Sequence, residues 1–506
     1  MNFYFEAAKI LDKLDKRQGS IKGILSSVPE KDKKRMSALV IETLKYKPVL
    51  KDVISNSKLL KEEKKLKSEN LTLVLVHDLL LANGIQAGDG PLKQAVLRHR
   101  TRLHSEFTRE KIRHGARSNE ELAQTGDERA GRIPRYVRVN TILWTSSEAV
   151  EYFKSKGFQV SDPLQNQYGT STSHMVLRSN PDRKGFSEDE HIPNLLLFNP
   201  QARFHEEETY HSGKIILQDK ASCFPATVLA QDVHKLHEDF IDATAAPGNK
   251  TTHLSALLGN KGKLFAFERD ANRFATLKSM IAKAGCRNVE PMNADFLTIL
   301  CDDQKYADVT HILLDPSCSG SGIVNRLDHL TEQDKEDGDP FKQERLEKLA
   351  SFQLMMIKHA MKFPSVKRIV YSTCSIHPTE NEHVVSKALE SGEAKLNGFR
   401  LAPRSQVLPN WHRRGIPEEM VSDGAECVVR CSPGEDATNG FFVSCFVRQS
   451  RGESTELGKR GHLSVNYDTD EGETRERGEG IVHMEKSTDR RKRNRPKKKR
   501  KSSMLA

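Results

Sequence analysis

Long apolar runs are missing from this chain of 506 residues. The longest, Leu71 to Ala82, is interrupted by His77 and Asp78, so nothing reaches the roughly 18 apolar residues of a membrane span. The first 30 residues alternate charged and apolar side chains and lack the apolar region of a secretory signal. Cysteine is sparse: eight residues with no framework spacing and no CxxC pair, which excludes a disulfide-stapled domain and a zinc ribbon. A reducing compartment and no bound metal are expected. No internal repeat is found. Two phosphate-binding signatures are missing too, the dinucleotide fingerprint GxGxxG and the phosphate loop GxxxxGK[ST].

What the chain does contain is enough apolar material, 36% of residues, for a large core. Its length suggests two to four domains at roughly 100–200 residues each. The mean hydropathy of −0.61 shows that polar extensions dilute that core. Charge is unevenly distributed. Residues 1–140 hold 29 Lys/Arg against 18 Asp/Glu, and Arg490 to Lys501 holds 10 basic residues and no acid, so the remaining positions are net acidic. Basic flanks suit a polyanionic partner, because each neutralised phosphate releases counterions. The cluster 490–501 reads as a nuclear or nucleolar address or an RNA tether.

Four regions follow from the pattern. Residues 1–132 read as a basic helical region, with a buried helix at Leu71–Leu81, a second basic helical stretch at Leu92–Arg113 and a polar linker after it. Residues 133–207 read as a small α+β module: a strand at Tyr136–Asn140, a helix at Ser147–Lys156 and a strand at Asn194–Phe198. From 208 to 448 strands alternate with helices. The strand candidates are Phe240–Ala243, Lys263–Phe267, Val309–Leu314 and Arg368–Tyr371, with helices at Lys250–Leu258, Ala271–Ala284 and Leu346–Met361. Continuous apolar strands separated by helices indicate a doubly wound α/β fold with a parallel sheet. Residues 449–506 read as a disordered tail.

The run Phe240-Ile-Asp-Ala-Thr-Ala-Ala-Pro-Gly-Asn-Lys-Thr-Thr-His reads as strand, tight turn and helix. Its small residues and Gly248 let backbone approach a ligand where the first strand ends, which is where open α/β sheets bind ligands. Without a phosphate cradle, the fitting cofactor is a nucleoside lacking pyrophosphate, S-adenosylmethionine. The next strand ends in Glu268, placed to accept ribose hydroxyls, and Asp295 follows the third strand, placed for the adenine amino group.

Two further strands end in Leu-Leu-Asp-Pro-Ser-Cys-Ser-Gly-Ser-Gly and Tyr-Ser-Thr-Cys-Ser-Ile-His-Pro-Thr-Glu-Asn-Glu. Cys318 and Cys374 therefore lie at the cofactor edge of the sheet, whereas Cys223, Cys286, Cys301, Cys427, Cys431 and Cys445 read as small buried hydrophobes. A thiol beside a methyl donor suits one chemistry well. Cytosine C5 is a poor nucleophile until a thiolate adds to C6, and a second thiol can assist release of the product. Asp315 is placed to polarise the base during that addition. Methyltransferases that modify exocyclic amino groups carry Asp/Asn-Pro-Pro-Tyr/Phe at this strand end, and Asp-Pro-Ser-Cys stands here instead. The residues alone leave open which cysteine attacks.

Ala245-Ala-Pro-Gly-Asn-Lys-Thr251, Asp315-Pro-Ser-Cys-Ser-Gly-Ser-Gly322 and Ser372-Thr-Cys-Ser375 resemble the motifs of the Sun-domain family of RNA (cytosine-C5) methyltransferases. That family has Ala-Pro-Gly-Gly-Lys-Thr, Asp-Ala-Pro-Cys-Ser-Gly-Thr-Gly and Ser-Thr-Cys-Ser. The departures at Asn249 and Ser317 are similar to the animal branch that modifies 28S ribosomal RNA, as are Pro134–Thr141, Gln218–Cys223 and Gly440–Val443. The resemblance implies a Rossmann-like S-adenosylmethionine-dependent fold, with Cys374 as nucleophile and Cys318 as the release-assisting thiol. It also implies a cofactor site lined by Thr244, Ala245, Ala246, Pro247, Gly248, Asn249, Lys250, Glu268, Arg273, Asp295 and Asp315. The implied partner is large-subunit ribosomal RNA or a pre-ribosome, held in part by the module, where Arg135 and Arg138 are expected to contact phosphates beside the stretch 92–113. Ser317 in place of Pro loosens the turn before Cys318. A tRNA methyltransferase of the same chemistry and a non-catalytic assembly factor are the alternatives, and nothing demands more than a monomer.

Overall fold

A computed structural model describes residues 1–449 apart from 17, 20, 125, 161–183, 232–237, 325–329, 331–339 and 421. The basic cluster 490–501 and the rest of the tail from 450 lie outside the described residues.

The N-terminal region is helical, with helices at Asn2–Asp15, Ile21–Ser26, Glu30–Lys45, Lys47–Asn56, Leu59–Glu62, Glu69–Leu81, Pro91–Arg98 and Arg100–Arg113. Glu69–Leu81 is apolar on every side and buries ten of its residues, as a helix at the centre of a bundle must. Its one buried acid, Asp78, accepts a 2.5 Å hydrogen bond from Tyr4 on the first helix. The expected single stretch at Leu92–Arg113 is two helices, parted at His99, the first starting with Pro91 at its N-terminus. Its charges are largely consumed at home: Arg98 pairs with Glu63, Arg102 with Glu62, Arg109 with Glu106 and Arg113 with Asp52 and Glu110.

The small module is a five-stranded sheet: β1 (Arg135–Val139), β2 (Gln159–Val160), β3 (Gly185–Glu188), β4 (Leu195–Phe198) and β5 (Ile215–Leu217), in the order β2-β3-β4-β1-β5. Its helix, Ser146–Ser155, starts with a capping box in which Thr145 and Glu148 satisfy each other's backbone N–H. Phe153 from that helix packs into Phe158, Phe186, Phe198 and Phe204. The sheet corrects the expected boundary at 207. β5 pairs antiparallel with β1 through Val137–Leu217, Arg138–Ile216 and Val139–Ile215, so the module's backbone hydrogen bonds extend to residue 217. Three apolar residues are too short a run to announce a strand.

The larger sheet contains β6 (Asp239–Asp242), β7 (Leu264–Phe267), β8 (Val289–Met292), β9 (Val309–Leu314), β10 (Arg368–Thr373), β11 (Phe399–Leu401), β12 (Val429–Cys431) and β13 (Phe441–Arg448). Its order is β11-β13-β10-β9-β6-β7-β8, with β12 also on β13. The five strands β6 to β10 are parallel. Every residue of β9 and β10 is buried, because helices such as Pro340–Ala360 and Lys220–Leu229 contact the sheet. The sheet is not wholly parallel as expected: β13 runs antiparallel to β10 over six residue pairs and carries β11 and β12. Strand order reverses between β6 and β9, and the crevice above such a switch point is where this class of sheet binds ligands.

Candidate active site

Five consecutive strand ends supply the site. After β6 the chain passes through Ala243–Gly248 into the helix Asn249–Leu257, with Gly248 at φ +114°. A side chain at 248 would adopt a left-handed conformation and put its Cβ 3.0 Å from Met280 Cγ, so glycine is required there. Ala245 and Ala246 are buried, and the turn presents backbone rather than side chains.

At the end of β7, Glu268 is 5% exposed. One of its oxygens accepts from the Asp270 N–H at 2.9 Å and the other lies 3.3 Å from the Arg273 guanidinium. Arg273 also donates to the Ala246 carbonyl at 2.8 Å. Arg273 thus ties the strand-end carboxylate to the glycine turn. Asp295, after β8, caps the turn Phe296–Thr298 through Leu297 N–H and lies 3.6 Å from Arg269. A small-residue turn, a buried carboxylate and a second acid on successive strand ends fit a nucleoside cofactor.

Asp315 follows β9. Its carboxylate accepts from Lys250 Nζ at 2.8 Å and from Ser372 Oγ at 2.8 Å, while its N–H donates to Thr244 Oγ1 at 3.0 Å. Burial alone would depress the Lys250 ammonium, but the charge and hydrogen bond of Asp315, with Cys374 and Asp242 adding, raise it. Lys250 therefore stays charged although its side chain is only 14% exposed. Beneath it Asp242, buried at the end of β6, accepts from Thr251 Oγ1 at 2.7 Å. Burial pushes the Asp242 carboxyl up to about 6, with the Thr251 hydrogen bond opposing.

Cys318 and Cys374, 56 residues apart in sequence, stand with their sulfurs 3.2 Å apart. Both are partly buried. The hydrogen bond with Cys374 and burial, then the charges of Cys374, Glu380 and Asp315, push the Cys318 thiol far above its ordinary range. The loops that carry them are locked by backbone: Gly322 N–H donates to the Cys374 carbonyl at 2.9 Å, and Gly440 N–H to the Gly322 carbonyl at 2.8 Å. A Cβ on Gly322 would come within 2.2 Å of the Gly440 carbonyl. The remaining cysteines are buried or partly buried, and burial lifts Cys223 and Cys445 to about 12, as expected of packing thiols.

One expected contact is corrected. Arg138 is 1% exposed and does not face solvent. Strand β1 aims its side chain into the larger domain, where it donates to Gln218 Oε1 at 2.7 Å, Thr252 Oγ1 at 2.9 Å and the Asn249 carbonyl at 3.4 Å. Period-two alternation puts Arg138 on the opposite face from Val137 and Val139, but both faces of β1 are covered. Its neighbour Arg135 is exposed. Sequence reasoning also passed over Asp242, Ser222, which accepts from Lys250 at 3.1 Å, and Glu380. Asp242 carried a signal, an acid inside an apolar strand; Ser222 and Glu380 carried none.

Among the described residues no helix is long and apolar enough to cross a membrane, and no group of three or more metal-ligating side chains is found.

Comparison with known proteins accounts for most of the chain. Family models match in order: NOL1/NOP2/Sun domain family member 5, N-terminal domain, over residues 34–123; the ferredoxin-like domain of the same member over 133–218; and 16S rRNA methyltransferase RsmB/F over 227–447. The chain is 44% identical to the 25S rRNA (cytosine-C(5))-methyltransferase rcm1 of Schizosaccharomyces pombe, covering 90% of this chain and 93% of that one. It is 42% identical to the 28S rRNA (cytosine-C(5))-methyltransferase of Mus musculus, covering 88% and 91%. The crystal structure of PH0851 shares the fold, with a TM-score of 0.55 at 19% identity over 83% of this chain and 91% of that one.

Proposed function

Because the chain belongs to the NOL1/NOP2/Sun-domain family of RNA cytosine-C5 methyltransferases, we propose that its five strand ends divide the labour of one methyl transfer. The protein is an rRNA (cytosine-C5)-methyltransferase acting on large-subunit ribosomal RNA. The observation that carries the mechanism is the pair of sulfurs 3.2 Å apart beside the Lys250–Asp315 ion pair.

The turn Thr244–Asn249, Glu268, Arg273 and Asp295 hold S-adenosylmethionine. When bound, this cofactor supplies the electrophilic methyl group that the activated C5 accepts. The target base must be unpaired or flipped to enter the site. Cys374 adds through its sulfur to C6, and the C5–C6 double bond becomes an enamine-like nucleophile. The Lys250 ammonium, close enough to be raised by Cys374, favours negative charge on that sulfur before attack. Asp315, held by Lys250 and Ser372, accepts a hydrogen bond from the exocyclic amino group of the cytosine and so orients and polarises the base with its geometry already set. In the release step Cys318, a neutral thiol against Cys374, gives its proton to the departing Cys374 sulfur as the C6–S bond breaks, and the Cys318 thiolate so formed takes the C5 proton, which restores the aromatic ring and both thiols.

The test uses Cys318→Ala protein with S-adenosylmethionine and large-subunit ribosomal RNA. A denaturant-resistant protein–RNA adduct is expected, and it should vanish in Cys374→Ala. An adduct formed by Cys374→Ala instead would reverse the two roles, and no adduct with no methyl transfer by the wild type would remove the mechanism. The cluster 490–501 directs the protein to the nucleus and nucleolus, where ribosomes are made. Deleting residues 490–506 should move a fluorescent fusion out of the nucleolus, and unchanged localisation would count against the address.

A further inference from the structure

Among the residues given no role above, Glu380 is a fully buried acid near the two thiols, at 0% exposure. It ends the short turn Pro378–Glu380 after β10, six residues beyond Cys374, and its carboxylate reaches across to the loop after β9. One oxygen accepts from the Ser319 N–H at 2.9 Å and from Gln353 Nε2 at 3.0 Å; the other accepts from Ser319 Oγ at 2.5 Å. Gln353, on the helix Pro340–Ala360, donates in turn to the Ser317 carbonyl at 3.1 Å and accepts from Tyr371 on β10. The residues on both sides of Cys318 are therefore fastened to one carboxylate that belongs to the Cys374 loop.

We propose that Glu380 is a positioning residue for product release: by gripping Ser319 directly and Ser317 through Gln353, it holds the Cys318 thiol against the Cys374 sulfur. All three groups on the carboxylate are donors, so the site needs an acceptor-only side chain. A glutamine would turn its own N–H groups toward one of them and break the grip at almost constant volume. The position left without proline, Ser317, is the one whose carbonyl Gln353 holds, so the buried acid supplies the rigidity that a proline ring would have given.

This inference rests on the assignment of Cys374 as nucleophile and Cys318 as release thiol, and its consequence is specific. Loss of the grip should slow release more than attack, since Cys374 directly follows β10, whose last residue, Thr373, is paired with Phe442, whereas Cys318 lies four residues past the end of β9. Full-length Glu380→Gln is compared with wild type, Cys318→Ala and Cys374→Ala on large-subunit ribosomal RNA. Adduct is resolved on a denaturing gel, turnover is followed by methyl incorporation, and S-adenosylmethionine binding is measured by calorimetry. Glu380→Gln is expected to bind the cofactor as the wild type does, to lose roughly 10- to 100-fold in kcat, and to accumulate the adduct that Cys318→Ala accumulates. Ser319→Ala, which removes one of the three donors and leaves the acid in place, should do the same to a smaller degree and decides the matter if Glu380→Gln fails to fold. Cofactor-binding Glu380→Gln protein that turns over without accumulating adduct, or that forms neither adduct nor product, would overturn the inference. Absence of adduct in Cys318→Ala itself would overturn the assignment of the cysteines, and the inference with it.

Discussion

Replacing Arg138 by methionine separates two views of that residue, one as an RNA contact and one as a buried tie between module and cofactor turn. The structure lets the cost be worked out. The two short hydrogen bonds, to Gln218 at 2.7 Å and Thr252 at 2.9 Å, involve a charged donor and are together worth about 3–6 kcal/mol. Against them stands the burial of a guanidinium that has, among the described residues, no carboxylate bonded to it and no hydrogen-bond partner for one nitrogen, Nη1. Burial drags Arg138 down to about 10, a displacement of roughly 3 kcal/mol held against the charged form. Methionine removes both terms, while Gln218 Oε1 is left buried without its donor at a cost of about 1–3 kcal/mol. The net expectation is a loss of about 1–6 kcal/mol in urea unfolding. Because Thr252 and the Asn249 carbonyl sit in the first turn after Gly248, affinity for S-adenosylmethionine should fall several-fold as well. The salt dependence of RNA binding should not change, since no phosphate can reach a 1% exposed side chain. Arg135→Ala is the contrast, and if it contacts a phosphate it should reduce the slope by about 1 with stability unchanged. A reduced salt slope in Arg138→Met with cofactor affinity intact would refute the buried-tie reading, as would a stability gain.

Two other substitutions test the cofactor edge. Gly248→Ala places a Cβ at φ +114° and 3.0 Å from Met280, so it should cost about 1–3 kcal/mol and weaken cofactor binding at least tenfold by calorimetry; unchanged affinity would mean the turn does not carry the ligand. Asp242→Asn tests the buried acid. Its folded value, about 6, lies above the roughly 4 of an unfolded aspartate, so the unfolded chain sheds its proton first. The acid's contribution is then fully present below pH ~4 and is lost as pH rises toward 6, amounting to roughly 3 kcal/mol above that window. Asparagine can still accept from Thr251, so the variant should gain on the wild type between pH 4.5 and pH 7 in urea unfolding, and a pH-independent difference would remove the buried-acid account.

The strand ends were legible because their chemistry is local. A turn that must bring backbone to a ligand needs small residues and a left-handed glycine, and Ala-Ala-Pro-Gly supplies both within four positions. The acids at 268 and 295 were legible for the same reason: Glu268 directly follows its strand and Asp295 comes three residues after its own, and parallel strands with helical crossovers all end on one edge. Boundaries failed where the signal fell below the length of a strand. β5 has three residues and β2 has two, and pairing with β1 and β3 holds them in place with no help from periodicity. The antiparallel edge β11–β13 was missed differently. Phe441–Arg448 is apolar enough to read as a strand, but strand direction comes from the connection, and the long chain between β10 and β13 gives no sign of it.

Charge was the hardest quantity to read, because a sequence shows its sign and number but not where the fold spends it. The surplus of basic residues before 140 suggested phosphate contacts at 92–113, yet four arginines there are ion-paired to acids 3 to 61 positions away. Arg138 is turned inward, and Lys250, which sequence placed at the cofactor, is held by an acid 65 positions on. Glu380 shows the converse. In Pro-Thr-Glu-Asn-Glu it resembles a solvated acidic turn, and only the approach of the loop after β9, fixed by the Gly322–Gly440 backbone contact, and of the helix Pro340–Ala360 surrounds it with three donors. Its burial is a property of three segments meeting and is therefore invisible in any one of them. The same holds for the reactive pair: each cysteine could be placed at the cofactor edge from its own strand, whereas the 3.2 Å between them depends on β9 and β10 being adjacent and in register through Ile312–Ile369 and Leu314–Tyr371. Register, set by buried side chains spread over the whole sheet, is what brings two separately legible cysteines together.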